Sequence, residues 1–257
     1  MMGYSHGMAA ARKKHVQQEL FRHGGRRKGA GRKPAGTRAG SGHKTRPEID
    51  GTCALHVVLR VASEVGNVRR RSMYRAIRAA TIAVAKRGWI RIVHLSIQHN
   101  HLHLLVEAES KRKLAQGMLG FKVSAARQVN RGLGRPRGRV FADRYHLVVI
   151  TSPRQTRNAL SYILNNWRRH GEDGRSATDP RTRGRVCDPR ARGWMTDPYS
   201  SGRAFRGWRE LDGHTMVTPD VPTCGALVVS EPRGWLLREG WRRGGGAISA
   251  YAVPSHT

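Results

Sequence analysis

Three short blocks of this chain hold side chains able to act on a phosphodiester. The first is Asn100-His101-Leu102-His103-Leu104-Leu105-Val106-Glu107. On a β-strand, residues two apart point to the same face, so His101 and His103 present two imidazoles together while Leu102, Leu104 and Val106 turn the other way, into a core. Two imidazoles suit one divalent metal and leave positions for a third protein ligand, for water and for a phosphate oxygen. A strand with two histidines and no function has the same local pattern, so the pair alone does not decide the matter. His99 reads as part of a hairpin connection and Glu107 as a charge at the strand end.

The second block is Asn158-Ala159-Leu160-Ser161-Tyr162-Ile163-Leu164-Asn165-Asn166-Trp167. Tyr162 and Asn166 stand one helical turn apart and so share a face. Asn166 can lend its carbonyl oxygen to a hard divalent ion, and Tyr162 can aim its phenolic oxygen at a phosphorus held by that ion. A neutral phenol is a weak nucleophile, so the attack needs a polarised and oriented phosphate. The product would be a covalent phosphotyrosine that keeps the energy of the cut bond and allows rejoining without ATP. The plainer account of a helical tyrosine is a half-buried aromatic with its hydroxyl at the surface. The third block, Phe141-Ala142-Asp143-Arg144-Tyr145-His146, holds a rival nucleophile in Tyr145, but this residue precedes a strand and has no amide one turn away. Arg144, Arg168 and Arg169 are candidates for holding DNA phosphates, with ordinary solvated charge as the alternative.

The elements that must position these groups follow from apolar periodicity. Leu55 to Val61 alternates and reads as a strand. A helix follows, capped by Asn67, with Tyr74, Ile77, Ala80, Thr81 and Val84 on one face and Gly88 just past its end. Ile90 to Gln98 and His101 to Ala108 read as two strands joined at His99-Asn100. A second helix over about Lys111 to Leu133 buries Leu114, Met118, Phe121, Ala125 and Val129. His146 to Thr151 is the fourth strand. Ser152-Pro153 opens a third helix that runs to about His170, with Thr156, Leu160, Ile163 and Trp167 inward and Gly171 closing it. The order is a ferredoxin-like βαββαβ antiparallel sheet of the α+β class with one added C-terminal helix, which carries Tyr162.

Composition sets the partners. The chain has 257 residues, with 48 Lys and Arg against 17 Asp and Glu, for a formal charge of +31. Such a field attracts polyanions, nucleic acid first, and phosphate neutralisation supplies affinity without reading sequence. From Arg12 to Arg46 there are twelve Lys and Arg against the single acid Glu19, interleaved with glycine. Residues 1–50 are therefore expected to be a disordered basic arm, in which Arg26, Arg27, Lys28, Arg32 and Lys33 can lie along a DNA minor groove. Residues 51–175 form the expected catalytic domain, and residues 176–257 are expected to be a poorly structured, poorly cored Arg-, Gly- and Pro-rich tail carrying a few short docking elements such as Trp235-Leu236-Leu237 and Trp241. Cys53, Cys187 and Cys224 lack the spacing of a zinc site or a disulfide framework and read as ordinary reduced residues. No apolar run approaches the ~20 residues of a membrane span, and Met1 to Gln18 lacks a signal-peptide core, so a cytoplasmic, nucleoid-associated protein is expected.

Taken in order and at their separation, the three blocks resemble those of the REP-associated tyrosine transposases, within the single-tyrosine HUH endonucleases and the IS200-like transposase superfamily. The resemblance covers Leu55 to Gly171. It implies that His101 and His103 bind a divalent metal, Mg or Mn, that Asn166 sits where the third ligand comes from, and that Tyr162 is the nucleophile. It also implies a bacterial enzyme that cleaves single-stranded DNA beside a repeat hairpin, leaving a 5′-phosphotyrosine and a free 3′-OH. Partners would be single-stranded and hairpin DNA, with no membrane and no small-molecule cofactor, and the protein would act as a monomer or a homodimer. Many members have Pro after the helical Asn, where this chain has Trp167, which leaves the course of the helix end open. Two other readings stand beside this one. A domesticated DNA-binding relative would keep the fold without cleavage. An RNA-binding sheet would need aromatic residues on one face, and Leu55 to Val61 and His101 to Ala108 have none.

Overall fold

The computed structural model describes residues 46–172, 196–211 and 225–254. The basic arm with Arg26, Arg27, Lys28, Arg32 and Lys33 lies outside these residues, as do Cys187 and Cys224.

The alternation of Leu55, Val57 and Leu59 builds β1 over Asp50–Arg60, longer at its start than the apolar run alone indicates. Helix α1 spans Arg71–Arg87 and ends on Gly88, whose φ of 66° is the left-handed conformation that closes a helix. Asn67 does not cap α1. Its Oδ1 accepts from the Arg69 amide in a turn before the helix, and the cap position falls on Arg70. Strands β2 (Arg91–Ile97) and β3 (His101–Ser110) flank the expected hairpin. Helix α2 covers Lys111–Gly132, with the Ser110 side chain accepting from the Lys113 amide. After β4 (His146–Ile150), Ser152 caps α3 (Pro153–Arg169) by accepting from the Gln155 amide. This helix runs straight through Trp167.

The sheet order is β2-β3-β1-β4, with every pairing antiparallel. That is the expected ferredoxin-like plan, and it puts β1 and β3 at the centre. One face carries the main core: Leu55, Val57 and Leu59 meet Leu102, Leu104, Val106 and the inward stripes of α1 and α2, including Ile77, Ala80, Met118 and Phe121. Burying each such leucine fully contributes roughly 1.5–3 kcal/mol. The opposite face is covered differently. Here α3 lays Leu160, Ile163 and Leu164 against Ala54, Leu105 and Ile150.

The expectation of a poorly cored C-terminal tail does not hold: the described residues 196–211 and 225–254 complete this second core, because their scattered aromatic and aliphatic side chains bury against α3. Phe205, Trp208, Leu237, Trp241 and Ile248 are buried with the α3 residues, the tryptophans among them sitting in the helical turns Arg209–Leu211 and Leu236–Gly240 or beside them. A shift of register between Ile92 and His94 lets Val93 join them. The same stretch covers the open edge of β2: the Ile97 amide donates to the Tyr199 carbonyl, the Ser201 amide to Leu95 and the Ser230 amide to Ile92. An edge strand that would otherwise present unpaired groups is thereby closed. Glu107, read from sequence as a strand-end charge, is 3% exposed and accepts from the amides of Arg233 and Gly234 at 2.7 and 2.8 Å. A buried carboxylate needs such donors, and these two fix where the Trp235 segment begins. Among the described residues no helix is long and apolar enough to cross a membrane.

Candidate active site

The residues that pair on the α3 side of the sheet bring the first two blocks together. His101 and His103 alternate with the core-facing leucines of β3, so both rings turn toward α3. Their Nε2 atoms lie 2.9 Å apart. Tyr162, on α3, stands edge-on to His103 with ring centroids 5.2 Å apart. All three side chains come from one chain.

Two further imidazoles flank the pair. His56 on β1 alternates with Leu55 and Val57 and so faces α3. Its Nε2 is 3.0 Å from His103 Nδ1, and its ring centroid is 6.1 Å from that of Tyr162. His170, the residue capping α3, sits with its ring 5.8 Å from His101. Neither was singled out from sequence. A lone histidine in an apolar alternation carries no signal until the sheet order puts β1 beside β3, and that order, once inferred, would have pointed to His56.

Burial comes first among the causes that lower the pKa of these rings below the ordinary imidazole range. Burial first and then His146 push His56 down to about 4. Burial, His170 and Arg60 push His101 to about 4. His103 falls lower still, through burial and the adjoining His56 and His101. A neutral imidazole presents a lone pair, the form a metal takes.

Asn166 gives the test of whether a cation fits. It is fully buried, and neither Oδ1 nor Nδ2 has a hydrogen-bond partner. A buried amide left unpaired is costly, and it is accounted for where the oxygen serves as a ligand. Two imidazole nitrogens face each other on β3, and an unpaired amide oxygen stands on the adjoining helix, residue types that could serve a divalent ion. Among the described residues no three His, Cys, Asp or Glu side chains are arranged to hold a metal.

The expected phosphate contacts divide. The Arg169 guanidinium carbon lies 5.9 Å from the Tyr162 ring centroid, next to the phenol. Arg144 is exposed and close enough to Arg46 to lower that residue's pKa after burial has done so. Arg168 is different. It is buried, its Nε donates to the Ala250 carbonyl at 2.8 Å, and it stacks on Trp167 and Tyr251, so this guanidinium is engaged inside the protein rather than turned to solvent. Helical spacing could not reveal this, because the partner lies in the C-terminal stretch. Tyr145 packs with Leu147 and Val149 against the core on the other face of the sheet, away from the imidazoles, and Arg46 covers its ring at 3.3 Å. Arg60, paired with His101 across β1 and β3, is an exposed cation beside the site that sequence reading did not single out.

Residues 51–166 match the family described as transposase IS200 like. No curated protein matches the chain. Among solved structures, the chain is similar to a REP-associated tyrosine transposase bound to a REP hairpin, at 17% identity over 51% of this chain and 74% of that one, with a TM-score of 0.42. It is also similar to a transposase candidate from Deinococcus radiodurans R1, at 14% identity over 44% of this chain and 86% of that one, with a TM-score of 0.34.

Proposed function

We propose that this protein, whose residues 51–166 match the family described as transposase IS200 like, nicks and rejoins single-stranded DNA beside repeat hairpins, with Tyr162 as nucleophile. The observation that carries the proposal is the meeting, on one face of the sheet, of the His101 and His103 Nε2 atoms and the Tyr162 ring.

His101, His103 and the Asn166 carbonyl oxygen would hold a divalent ion, Mg or Mn, and its contribution when bound is to polarise the scissile phosphate. The remaining work falls to the chain itself. Helix α3 presents the Tyr162 phenol to the phosphorus, and Arg169 beside it offsets charge on the phosphate oxygens. The phenolic oxygen forms a bond to phosphorus as the bond to the 3′ oxygen breaks. The phenol loses its proton and the departing oxygen gains one, so the products are a 5′-phosphotyrosine and a free 3′-OH. One phosphodiester replaces another, and the reverse attack by a 3′-OH rejoins the strand without ATP. Arg144 and the arm residues Arg26, Arg27, Lys28, Arg32 and Lys33 would grip phosphates of the flanking hairpin.

The test uses hairpin DNA with a labelled single-stranded flank and Mn2+. The wild-type chain is expected to form an adduct that survives denaturation. Tyr162→Phe should form none while keeping its folding stability within about 0.5 kcal/mol of wild type. An adduct at wild-type yield in Tyr162→Phe, or none from a wild-type chain that binds Mn2+, refutes the assignment.

A further inference from the structure

Behind the two metal-facing nitrogens runs a row of hydrogen bonds that the reaction above does not use. His101 Nδ1 is 2.8 Å from Asn100 Oδ1. A carbonyl oxygen only accepts, so the His101 proton sits on Nδ1 and its Nε2 is a bare lone pair. That lone pair faces His103 Nε2 at 2.9 Å, and His103 Nδ1 faces His56 Nε2 at 3.0 Å. Neutral rings carry one N–H each. For the metal-free protein the row then has one consistent filling. His56 Nε2–H donates to His103 Nδ1, His103 Nε2–H donates to His101 Nε2, and His101 Nδ1–H donates to Asn100.

A cation held by both Nε2 atoms requires a lone pair from each. His101 already offers one. His103 must give up its Nε2 proton and carry a proton on Nδ1 instead, and the group facing Nδ1 must then accept rather than donate. We propose that His56 is a positioning residue that serves on either side of this bond, donating to His103 in the metal-free protein and accepting from it when a divalent cation is held, so that His103 keeps one ring orientation in both states. The protons balance. His103 takes its Nδ1 proton from His56 Nε2 and releases its Nε2 proton to solvent, while the half-buried His56 ring takes one from solvent at Nδ1. The inference rests on reading His101 and His103 as metal ligands.

The experiment titrates the full chain with Mn2+ alone, following free Mn2+ by electron paramagnetic resonance, with no DNA and no turnover. His56→Leu removes donor and acceptor together and is expected to weaken Mn2+ binding about 10- to 100-fold, the range seen when a ligand's supporting partner is lost. His56→Gln, whose amide can turn to donate or accept, should recover affinity to within a few-fold of wild type. His101→Ala should abolish binding. If His56→Leu binds like wild type, or His56→Gln is as weak as His56→Leu, the role of His56 is overturned while the metal site stands. If the wild-type chain takes no Mn2+, or His101→Ala binds as wild type does, the ligand assignment fails and this inference falls with it. Nitrogen-15 spectra of the wild-type histidines need no variant to fold. They should show the His103 proton on Nε2 without metal and on Nδ1 at saturating Mg2+, and a proton that stays on the same nitrogen in both refutes the exchange.

Discussion

Replacing Asn166 by leucine should make the metal-free protein more stable while removing its chemistry. The side chain is fully buried, and both amide atoms lack partners. A buried polar group in that state costs about 1–3 kcal/mol relative to a satisfied or apolar one. Leucine has nearly the shape of asparagine, so the exchange leaves little cavity and strains the packing little. The gain expected for Asn166→Leu in EDTA is therefore about 1–3 kcal/mol. For a domain of this size 1 kcal/mol moves the midpoint by about 2–4 °C, which gives an increase of roughly 2–12 °C. Divalent metal should narrow the difference. A ligand at one hundred times its dissociation constant stabilises the folded state by about 2.7 kcal/mol, and wild type gains this while the variant, short of one ligand, gains less. The assay is thermal unfolding followed by circular dichroism, in EDTA and in Mn2+, alongside the covalent-adduct assay, in which the variant should be inactive. A variant less stable than wild type in EDTA would refute the reasoning, since it would mean the amide is satisfied in the fold and is not held in reserve for a cation. Equal stabilisation of both proteins by Mn2+ would refute the ligand role.

Three other predictions concern what holds the site in place. His94 is 7% exposed, and burial lowers its pKa from an ordinary 6.5 to about 4. A folded pKa below the unfolded one means its contribution is complete above about pH 6.5 and is lost as pH falls toward 4, on the order of 3 kcal/mol. Denaturant midpoints of His94→Gln should therefore fall less steeply than those of wild type over that window, and parallel profiles would show that His94 is not the group responsible. Asp197 is fully buried and takes a two-pronged contact from Arg69 at 2.9 and 3.0 Å. Asp197→Ala removes both contacts and leaves Arg69 the Ile97 carbonyl and Glu172, and it should cost about 3–5 kcal/mol in urea unfolding, whereas a loss under 1 kcal/mol would mean that those partners suffice. Gly207 lies against the rings of Trp241 and Phe205, where a methyl group would overlap both. Gly207→Ala should cost about 1–3 kcal/mol by overpacking, and an unchanged melting midpoint would show the second core to be looser than its contacts imply.

Much of the fold was legible because its signals are local. Period-two alternation marked the four strands, Ser152-Pro153 and Gly88 marked helix ends, and the split βαβ order then fixed which strands lie at the centre. The His101 and His103 pair and the Tyr162 and Asn166 spacing were legible for the same reason, since each is a relation within one element. What stayed hidden depends on contacts between distant parts of the chain. His56 matters because β1 pairs with β3. Glu107 reads as a surface charge until the amides of Arg233 and Gly234 are found on it. Arg168 reads as a phosphate contact until Ala250 takes its Nε. The C-terminal stretch has the composition of a solvated tail, and Phe205, Trp208, Trp241 and Ile248 follow no period that would mark them as one core.

That hidden stretch bears directly on the chemistry. A phenol and two imidazoles on different elements act together only if the elements cannot drift apart, and a misplacement of about 1 Å can cost roughly 100-fold in rate. Helix α3 is held on one side by the sheet and on the other by the C-terminal residues. Arg157 donates to the Gly246 and Ala247 carbonyls, Asn165 to Ser249 and Arg168 to Ala250. Glu210 ties the same strip by accepting from the Ser249 hydroxyl and the Ala250 amide. These bonds run along α3 from Arg157 to Arg168 in its last turn. The helix that carries Tyr162 and Asn166 is thus tied to residues outside the matched family segment, so the stability of a stretch that looks dispensable in sequence bears on the distance between Tyr162 and the His101 and His103 pair.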